Sequence, residues 1–332
     1  MTDKSYQVFE ALKKARELLA KDVEGNELEH LIESLENIVE GKVQQIDHLP
    51  TDETVRLIEE ELSYLKALSP SQEDWRKAVQ LAYFQVAREM GLQVNHAPTP
   101  EGVNALVSLL AKELMSPIER PIRVADLTLG GGFLLYSVIQ SLKEDHEVAG
   151  DGVEVDELLV ALAENVREIL NLPVKVHLQD SLEHLLLSPA DLMVSDLPVG
   201  YYPKENVAGR YQLRRKDGMS YAHELLIEQS INYLNESGWA CFLLPMKQLD
   251  IETIQKLMQF LKGKGYLQAL LSLPKSFFKT ESQQKGILLI QKSGDGAKQA
   301  KPALMGQIPE FSDKERLEEF VHTLHQWRQS VL

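Results

Sequence analysis

Seven short apolar runs alternate with segments of helical periodicity between residues 122 and 290. This alternation implies right-handed crossovers between strands, and therefore a largely parallel, doubly wound α/β sheet with helices on both faces. Ligands of such sheets bind at the carboxyl ends of the strands. The predicted strands are 122–125, 148–153, 174–178, 192–195, 240–244, 267–271 and 287–290. The predicted helices around them are 102–114, 133–143, 157–170, 221–234 and 251–262.

The N-terminal part of the chain has a purely helical pattern. Apolar residues recur at spacings of three and four in residues 5–40 and 52–68, which predicts amphipathic helices. A further helix should start with Ser69 as N-cap, Pro70 as first helical residue and Gln72 as capping-box partner, and should stop at Gly91. We therefore predict three parts of the chain: a helical domain over 1–95, a ligand-binding α/β domain over 96–295, and a linker with a C-terminal helix over 296–332.

The charge distribution restricts the partners of this chain. Its formal charge is −15, and residues 1–70 hold 16 acidic and 8 basic side chains. Binding of nucleic acid over the whole surface is disfavoured, because such binding requires clustered Lys and Arg. The acidic N-terminal helices are instead candidates for self-association or for docking of a partner protein. Basic residues do cluster in one loop, 200–216, which contains Lys204, Arg210, Arg214, Arg215 and Lys216.

Composition also excludes several classes of protein. The single cysteine, Cys241, lies in an apolar run, which indicates a buried small hydrophobe and excludes disulfides. The N-terminal residues lack the apolar core of a signal peptide, and no run approaches the roughly 20 apolar residues of a membrane span. We therefore expect a cytoplasmic protein without membrane contact. The histidines, His96, His177, His184 and His223 among them, are too scattered for a metal site.

A glycine-rich turn follows the first predicted strand. The segment runs from Asp126 through Thr128, Gly130 and Gly132 into a helix. Glycines at such a turn let the backbone approach a ligand, and the free amides of the helix start favour a negative group. A tight turn without a ligand is the alternative for this segment taken alone. A dinucleotide is disfavoured, because Leu135 stands where the third glycine of that fingerprint belongs.

Acidic residues also end the next two predicted strands. Glu154 ends the second strand, where a carboxylate can accept the hydroxyl protons of a ribose. Asp180 follows the third strand and offers a carboxylate to an exocyclic adenine amine, with Ser181 beside it. Three successive strands therefore end in acids. Together with Asp126, this order suits a cofactor that has an amino-acid end, a ribose and an adenine.

The fourth strand ends in Asp196, Leu197, Pro198 and Val199. This segment resembles the Asn/Asp-Pro-Pro-Tyr/Phe motif of amino-methylating DNA methyltransferases. The closest likeness is to the adenine-N6 methylase domain of type I restriction-modification modification subunits. It covers about residues 72–292 and rests on segments in the same order, namely 99–103, 126–134, 196–203, 238–245, 271–274 and 286–290.

The resemblance implies a class I methyltransferase with a Rossmann-like, seven-stranded sheet, one antiparallel strand, and S-adenosylmethionine as cofactor. It adds Thr99 to the cofactor-binding candidates. The other candidates come from the glycine turn and the acidic strand ends, and they are Asp126, Thr128, Gly130, Gly132, Glu154, Asp180 and Ser181. DNA is the implied partner. Its candidate contact surface is the basic loop 200–216, because this loop directly follows the Asp196 segment; a solvated loop without a ligand is the alternative. The catalytic candidates are Asp196, Leu197, Pro198 and Tyr201.

Their predicted role concerns the adenine amine, whose lone pair is delocalised into the ring. The Asp196 side chain and the Leu197 carbonyl would accept its two N–H bonds and localise the lone pair toward the methyl donor. The base would be flipped out of the stack. Two residues depart from the family pattern, because Leu197 replaces the first proline and Val199 replaces the stacking aromatic residue. Tyr201 and Tyr202, two and three residues further on, are the candidates for the missing ring.

Three functions remain open at this point. The chain could be an adenine methyltransferase, a cofactor-binding interaction protein with impaired catalysis, or a methyltransferase acting on protein or a small molecule. Only some 40 residues follow the methylase-like region, which is too few for the large target-recognition domain of type I systems. Sequence-specific reading of DNA by this chain alone is therefore not expected.

Overall fold

The computed structural model describes residues 3–92, 97–278 and 284–330. Its described part contains one eight-stranded sheet in the order β3-β2-β1-β4-β5-β7-β6-β8. β7 runs antiparallel to both of its neighbours, and every other neighbouring pair is parallel. The strands are β1 Ile122–Asp126, β2 Val148–Glu154, β3 Val174–Leu178, β4 Ala190–Asp196, β5 Leu234–Pro245, β6 Gly265–Ser272, β7 Lys285–Lys292 and β8 Leu304–Gln307.

All seven predicted strands are confirmed, including the single antiparallel one. The eighth, β8, lies in the segment predicted as linker and C-terminal helix, and it pairs with β6 at the edge of the sheet. Its four residues are largely exposed and include Gly306, so they lack the apolar run by which the other strands were recognised.

Eleven α-helices surround the sheet in the described residues. They are α1 Asp3–Asp22, α2 Glu27–Glu40, α3 Asp52–Leu68, α4 Gln72–Glu89, α5 Glu101–Met115, α6 Phe133–Leu142, α7 Glu157–Ile169, α8 Glu205–Ala208, α9 Ala222–Asn232, α10 Ile251–Leu261 and α11 Lys314–Ser330. None of the helices described is both long and apolar enough to cross a membrane.

Strand β5 shows why both faces of the sheet are covered. Trp239, Cys241 and Leu243 belong to the core cluster that contains α5, α6 and α7, whereas Phe242 and Leu244 belong to the cluster that contains α9 and α10. Successive side chains of a strand point to opposite faces, so a continuous apolar run needs two helical layers. Burial also raises the pKa of the Cys241 thiol to about 12, which agrees with a packing role.

The start of α4 differs from the prediction. Ser71, not Ser69, is the N-cap: its hydroxyl accepts the Asp74 amide at 3.1 Å, and the Asp74 carboxylate accepts the Ser71 amide at 3.0 Å. Ser69 instead ends α3 with a left-handed φ of 48°. The capping box therefore uses Asp74 in place of Gln72, and the helix ends before Gly91 as predicted. The first predicted helix, 5–40, is interrupted after α1, and Asn26 caps α2.

The N-terminal helices pack on the α/β core through apolar residues. One continuous cluster contains Val8 of α1, Leu31 and Leu35 of α2, and Leu159 and Leu162 of α7. A separate helical domain over 1–95 stays a prediction, and its boundary at residues 95 and 96 lies outside the described residues. The packing does place α4 beside the carboxyl edge of the sheet, where it contributes to the site described next.

Candidate functional site

A cavity of about 530 Å³ opens at the carboxyl ends of β1, β2 and β4 and at the loop after β3. Parallel strands that end at one edge bring their terminal residues together, so residues that are distant in sequence line this cavity. Ten predicted site residues line it: Thr99, Asp126, Thr128, Gly130, Glu154, Asp180, Ser181, Asp196, Leu197 and Pro198. Gly132 and Tyr201 are not among its lining residues.

Asp126 lies at the floor of the cavity, where it ends β1 and is 2% exposed. Its Oδ1 accepts the Thr128 amide and the Ser195 hydroxyl, each at 2.8 Å. Burial raises the pKa of this carboxyl to about 7, against the opposite effect of those hydrogen bonds. A positively charged group of a ligand would therefore ionise Asp126 near neutral pH, because it would stabilise the carboxylate.

Glu154 holds the glycine turn in place. Its Oε2 accepts the Gly130 amide at 2.8 Å, and its Oε1 accepts the Val155 and Asp156 amides at 2.8 and 3.1 Å. Gly130 has a left-handed φ of +55°, and a Cβ built there would meet no atom within 4 Å. The turn therefore leaves open space beside its backbone, into which a ligand can approach.

Gly132 has a structural role that the sequence prediction missed. It precedes α6 with a φ of +83°, and a Cβ there would lie 2.2 Å from a ring carbon of Tyr136. Tyr136 is buried and donates its hydroxyl to the Ala163 carbonyl at 2.9 Å. The left-handed backbone of Gly132 and the packing of α6 against α7 are therefore enough to require glycine at this position.

Asp180 joins the cavity to the loop after β4. Its Oδ2 accepts the Tyr202 hydroxyl and the Lys204 ammonium, each at 2.8 Å, and its Oδ1 accepts the Leu182 amide at 3.0 Å. Burial alone would raise the pKa of Asp180, but these donors hold it below its usual value. Ser181 beside it donates to the Leu127 carbonyl at 2.5 Å and so connects the loops that follow β1 and β3.

Asp196 ends β4 between two partners. Its Oδ2 accepts the Thr99 hydroxyl at 2.9 Å, and its Oδ1 forms an ion pair with Lys285. Leu197 is buried and donates its amide to the Leu243 carbonyl at 2.9 Å. A carboxylate offers about four lone-pair positions, so Asp196 can accept a further donor.

Lys285 was missed by the sequence prediction. It is the first residue of the antiparallel strand β7, where it pairs with Pro245, the last residue of β5. The first residue of β7 lies at the same edge of the sheet as the last residues of β5 and β6, because both of these neighbours run in the opposite direction. That topology was the available signal, because Lys285 stands 89 positions from Asp196.

Of the two candidates for the missing ring, Tyr201 does not line the cavity. Its side chain is 52% exposed and stacks on Tyr221, with ring centroids 4.8 Å apart and planes at 15°. The guanidinium of Arg215 lies over Tyr221 at 5.2 Å. The next residue, Tyr202, lines the cavity instead.

The basic residues of loop 200–216 divide into two groups. Lys204 and Arg210 form ion pairs with Asp180 and Glu183 within the chain. The other three residues, Arg214, Arg215 and Lys216, are exposed. This second group is the part of the loop that is available to an external anion.

Helix α4 lies within the predicted helical domain, and it contributes Tyr83 to the cavity. The Tyr83 ring stacks on Phe133 with centroids 6.0 Å apart, and both residues line the cavity. Tyr83 falls on the apolar stripe of α4, so its position in sequence does not distinguish it from a core residue.

Within the described ranges, no group of three or more His, Cys, Asp or Glu side chains is arranged to hold a metal ion. His177 lies 3.2 Å from Asp151, and His223 is buried, which lowers its pKa to about 4. His96 lies outside the described residues.

Comparisons with known proteins agree with this architecture. Residues 6–85 match the model of the YtxK N-terminal helical domain. The uncharacterized protein YtxK of Bacillus subtilis (strain 168) is 31% identical over 320 residues, which cover 96% of each chain.

Solved structures give the fold. A putative class I S-adenosylmethionine-dependent methyltransferase from Listeria monocytogenes has a TM-score of 0.90 and 28% identity, with 99% of this chain and 100% of that one covered. A type I restriction-modification system methyltransferase subunit from Streptococcus thermophilus has a TM-score of 0.65 and 15% identity, and the match covers 90% of this chain and 70% of that one. The chain thus has the class I methyltransferase fold, and it belongs to the YtxK family.

Proposed function

We propose that this chain is an S-adenosylmethionine-dependent methyltransferase that binds its cofactor in the cavity at the carboxyl edge of the sheet. The observation that carries the proposal is the meeting of three strand-end carboxylates and an open glycine turn in one cavity. The donor groups of the cofactor match this set. Asp126 would take the ammonium of the methionine end, Glu154 the ribose hydroxyls, and Asp180 the adenine amine.

Bound S-adenosylmethionine supplies a methyl group activated by a sulfonium. We propose that the acceptor is the exocyclic amine of adenine in DNA. The Asp196 carboxylate and the Leu197 carbonyl would accept the two N–H bonds of this amine and direct its lone pair. Pro198 would stiffen the turn that presents that carbonyl. A base reaches such a cavity only when it leaves the stack, so unpaired or distorted adenine would be preferred.

Two features support nucleic acid as the acceptor. The exposed residues Arg214, Arg215 and Lys216 follow the Asp196 segment and could contact phosphates. The type I modification subunit of Streptococcus thermophilus also has the same fold. An enzyme with this cofactor and acceptor would act in the cytoplasm, where both are present.

A second candidate function is cofactor binding without methyl transfer, with the N-terminal helices as the surface for a partner protein or for self-association. The Lys285–Asp196 ion pair favours it, because the ammonium already occupies one acceptor position on the carboxylate. Lys285 would also oppose positive charge that develops on a neutral amine during methyl transfer.

The experiment supplies radiolabelled S-adenosylmethionine with single-stranded DNA, duplex DNA, RNA and a protein extract in parallel. We expect label in DNA, strongest in single strands, and its loss in Asp196→Ala with cofactor affinity retained. Label in protein alone would contradict the adenine assignment. Tight cofactor binding without label in any acceptor would instead support the second candidate.

A further inference from the structure

A chain of hydrogen bonds connects helix α4 to Asp196. Gln80 of α4 is 6% exposed, and its Nε2 donates to the Thr99 carbonyl at 2.7 Å. The Thr99 hydroxyl in turn donates to Oδ2 of Asp196 at 2.9 Å. One residue, Thr99, is therefore held through its backbone by the helical part and holds the strand-end carboxylate through its side chain.

An ion pair also links α4 to the segment that carries Thr99. Arg76 lies one turn before Gln80, and both its terminal nitrogens donate to Glu101, at 2.7 and 2.8 Å. Its Nε donates to Gln140 of α6 at 2.9 Å. Because Glu101 is the first residue of α5, this bidentate pair holds the chain just beyond Thr99.

We propose that Gln80 is a positioning residue of the acceptor site, which acts through Thr99 to fix the Asp196 carboxylate. This inference rests on the proposed function, in which Asp196 meets the acceptor. Without the Gln80 bond, the Thr99 carbonyl loses its hydrogen bond to α4, and the remaining restraint from α4 is the Arg76–Glu101 pair two residues further along the chain. The Thr99 hydroxyl then no longer selects one orientation of the carboxylate, and the reacting amine is misplaced. Helix α4 is in this way part of the acceptor site.

The chain offers a matched control on the same helix. Gln72 donates its Nε2 to the Leu170 carbonyl at 2.7 Å, a bond of the same type and length as that of Gln80. Gln72 is exposed, whereas Gln80 is buried and also accepts from the Asn104 side chain. Gln72→Ala therefore controls for the loss of one glutamine-to-carbonyl bond from α4 at a place away from Thr99. Arg76 is unsuitable for the test, because its removal would leave Glu101 without its bidentate partner and disturb folding.

The first measurement is amide hydrogen exchange in Gln80→Ala, which needs no acceptor. The reporters are the Val103 amide, which bonds to the Pro100 carbonyl, and the Leu197 amide, which bonds to the Leu243 carbonyl. Loss of one buried hydrogen bond should raise their exchange roughly 5- to 10-fold. In Gln80→Ala, the exchange of amides elsewhere in the protein should stay at the wild-type rate. In Gln72→Ala, the reporter amides should also exchange at the wild-type rate. A uniform increase across the chain, or none at Leu197, would overturn the proposal.

The second measurement is methyl transfer. Gln80→Ala should lower kcat about tenfold with cofactor affinity unchanged, and Thr99→Val should lower it equally. The double variant should be no slower than either single variant, because both act through one hydrogen-bonded chain. Additive losses would overturn the inference. If the wild-type protein transfers no methyl group, the proposed function fails, while exchange at Leu197 still decides whether Gln80 is coupled to the Asp196 segment.

Discussion

The Lys285–Asp196 ion pair gives the sharpest test of the acceptor chemistry. Replacing Lys285 with Met keeps an unbranched side chain and removes the ammonium. The two side chains are 25% and 17% exposed, so the pair is only partly screened by water. A hydrogen bond to a charged group contributes about 1.5–3 kcal/mol, and we reduce this to about 1.4 kcal/mol for the partial exposure.

That free energy corresponds to a factor of about ten in rate. We therefore expect Lys285→Met to raise methyl transfer to adenine about tenfold, because Oδ1 of Asp196 becomes available and the positive charge near the reacting amine is gone. The assay is single-turnover transfer to single-stranded DNA with saturating cofactor. Lys247→Met, an exposed lysine just after β5, is the control and should leave the rate unchanged. A rate that falls in Lys285→Met would refute the competition argument and make Lys285 a helper of the reaction.

Two further predictions concern the cofactor and the loop. Cofactor affinity should fall about tenfold for each pH unit below about 7, because the raised pKa of Asp126 means that binding of an ammonium must first displace a proton. Calorimetry at about pH 6 and about pH 8 measures this effect. Asp126→Asn should remove the pH dependence, and an unchanged pH dependence in that variant would exclude Asp126 as the group that binds the ammonium. Neutralising Arg214, Arg215 and Lys216 together should reduce the slope of log affinity for single-stranded DNA against log salt by about 2. Arg210→Gln is the comparison, since Arg210 already pairs with Glu183, and an equal change of slope in it would contradict the division of the loop.

The arrangement of the strands could be predicted because their apolar runs are continuous and regularly separated. Once a parallel sheet is assumed, Asp126, Glu154, Asp180 and Asp196 must meet at one edge, and they line one cavity. Strand β8 could not be predicted, because an exposed edge strand is stabilised by its pairing with β6 and has no apolar pattern.

Side-chain detail was less accessible from sequence. Lys285 reaches Asp196 only through the topology of β7, and Tyr83 looks like an ordinary core residue of an amphipathic helix. A glycine in such a turn can serve close approach of a cofactor or close packing of the following helix, and for Gly132 the packing reason is visible only from the position of Tyr136. Tyr201 and Tyr202 are adjacent, and the local backbone determines which of them faces the cavity.

Cofactor binding is the central claim, and calorimetric titration of the purified protein with S-adenosylmethionine and with its demethylated product tests it most directly. We predict micromolar dissociation constants. Glu154→Ala should weaken both by roughly 10- to 150-fold, the equivalent of about 1.5–3 kcal/mol for a charged acceptor of hydrogen bonds. Glu157→Ala, which removes a neighbouring exposed carboxylate at the start of α7, should leave them unchanged. Absence of heat with either ligand at millimolar concentration would contradict the account.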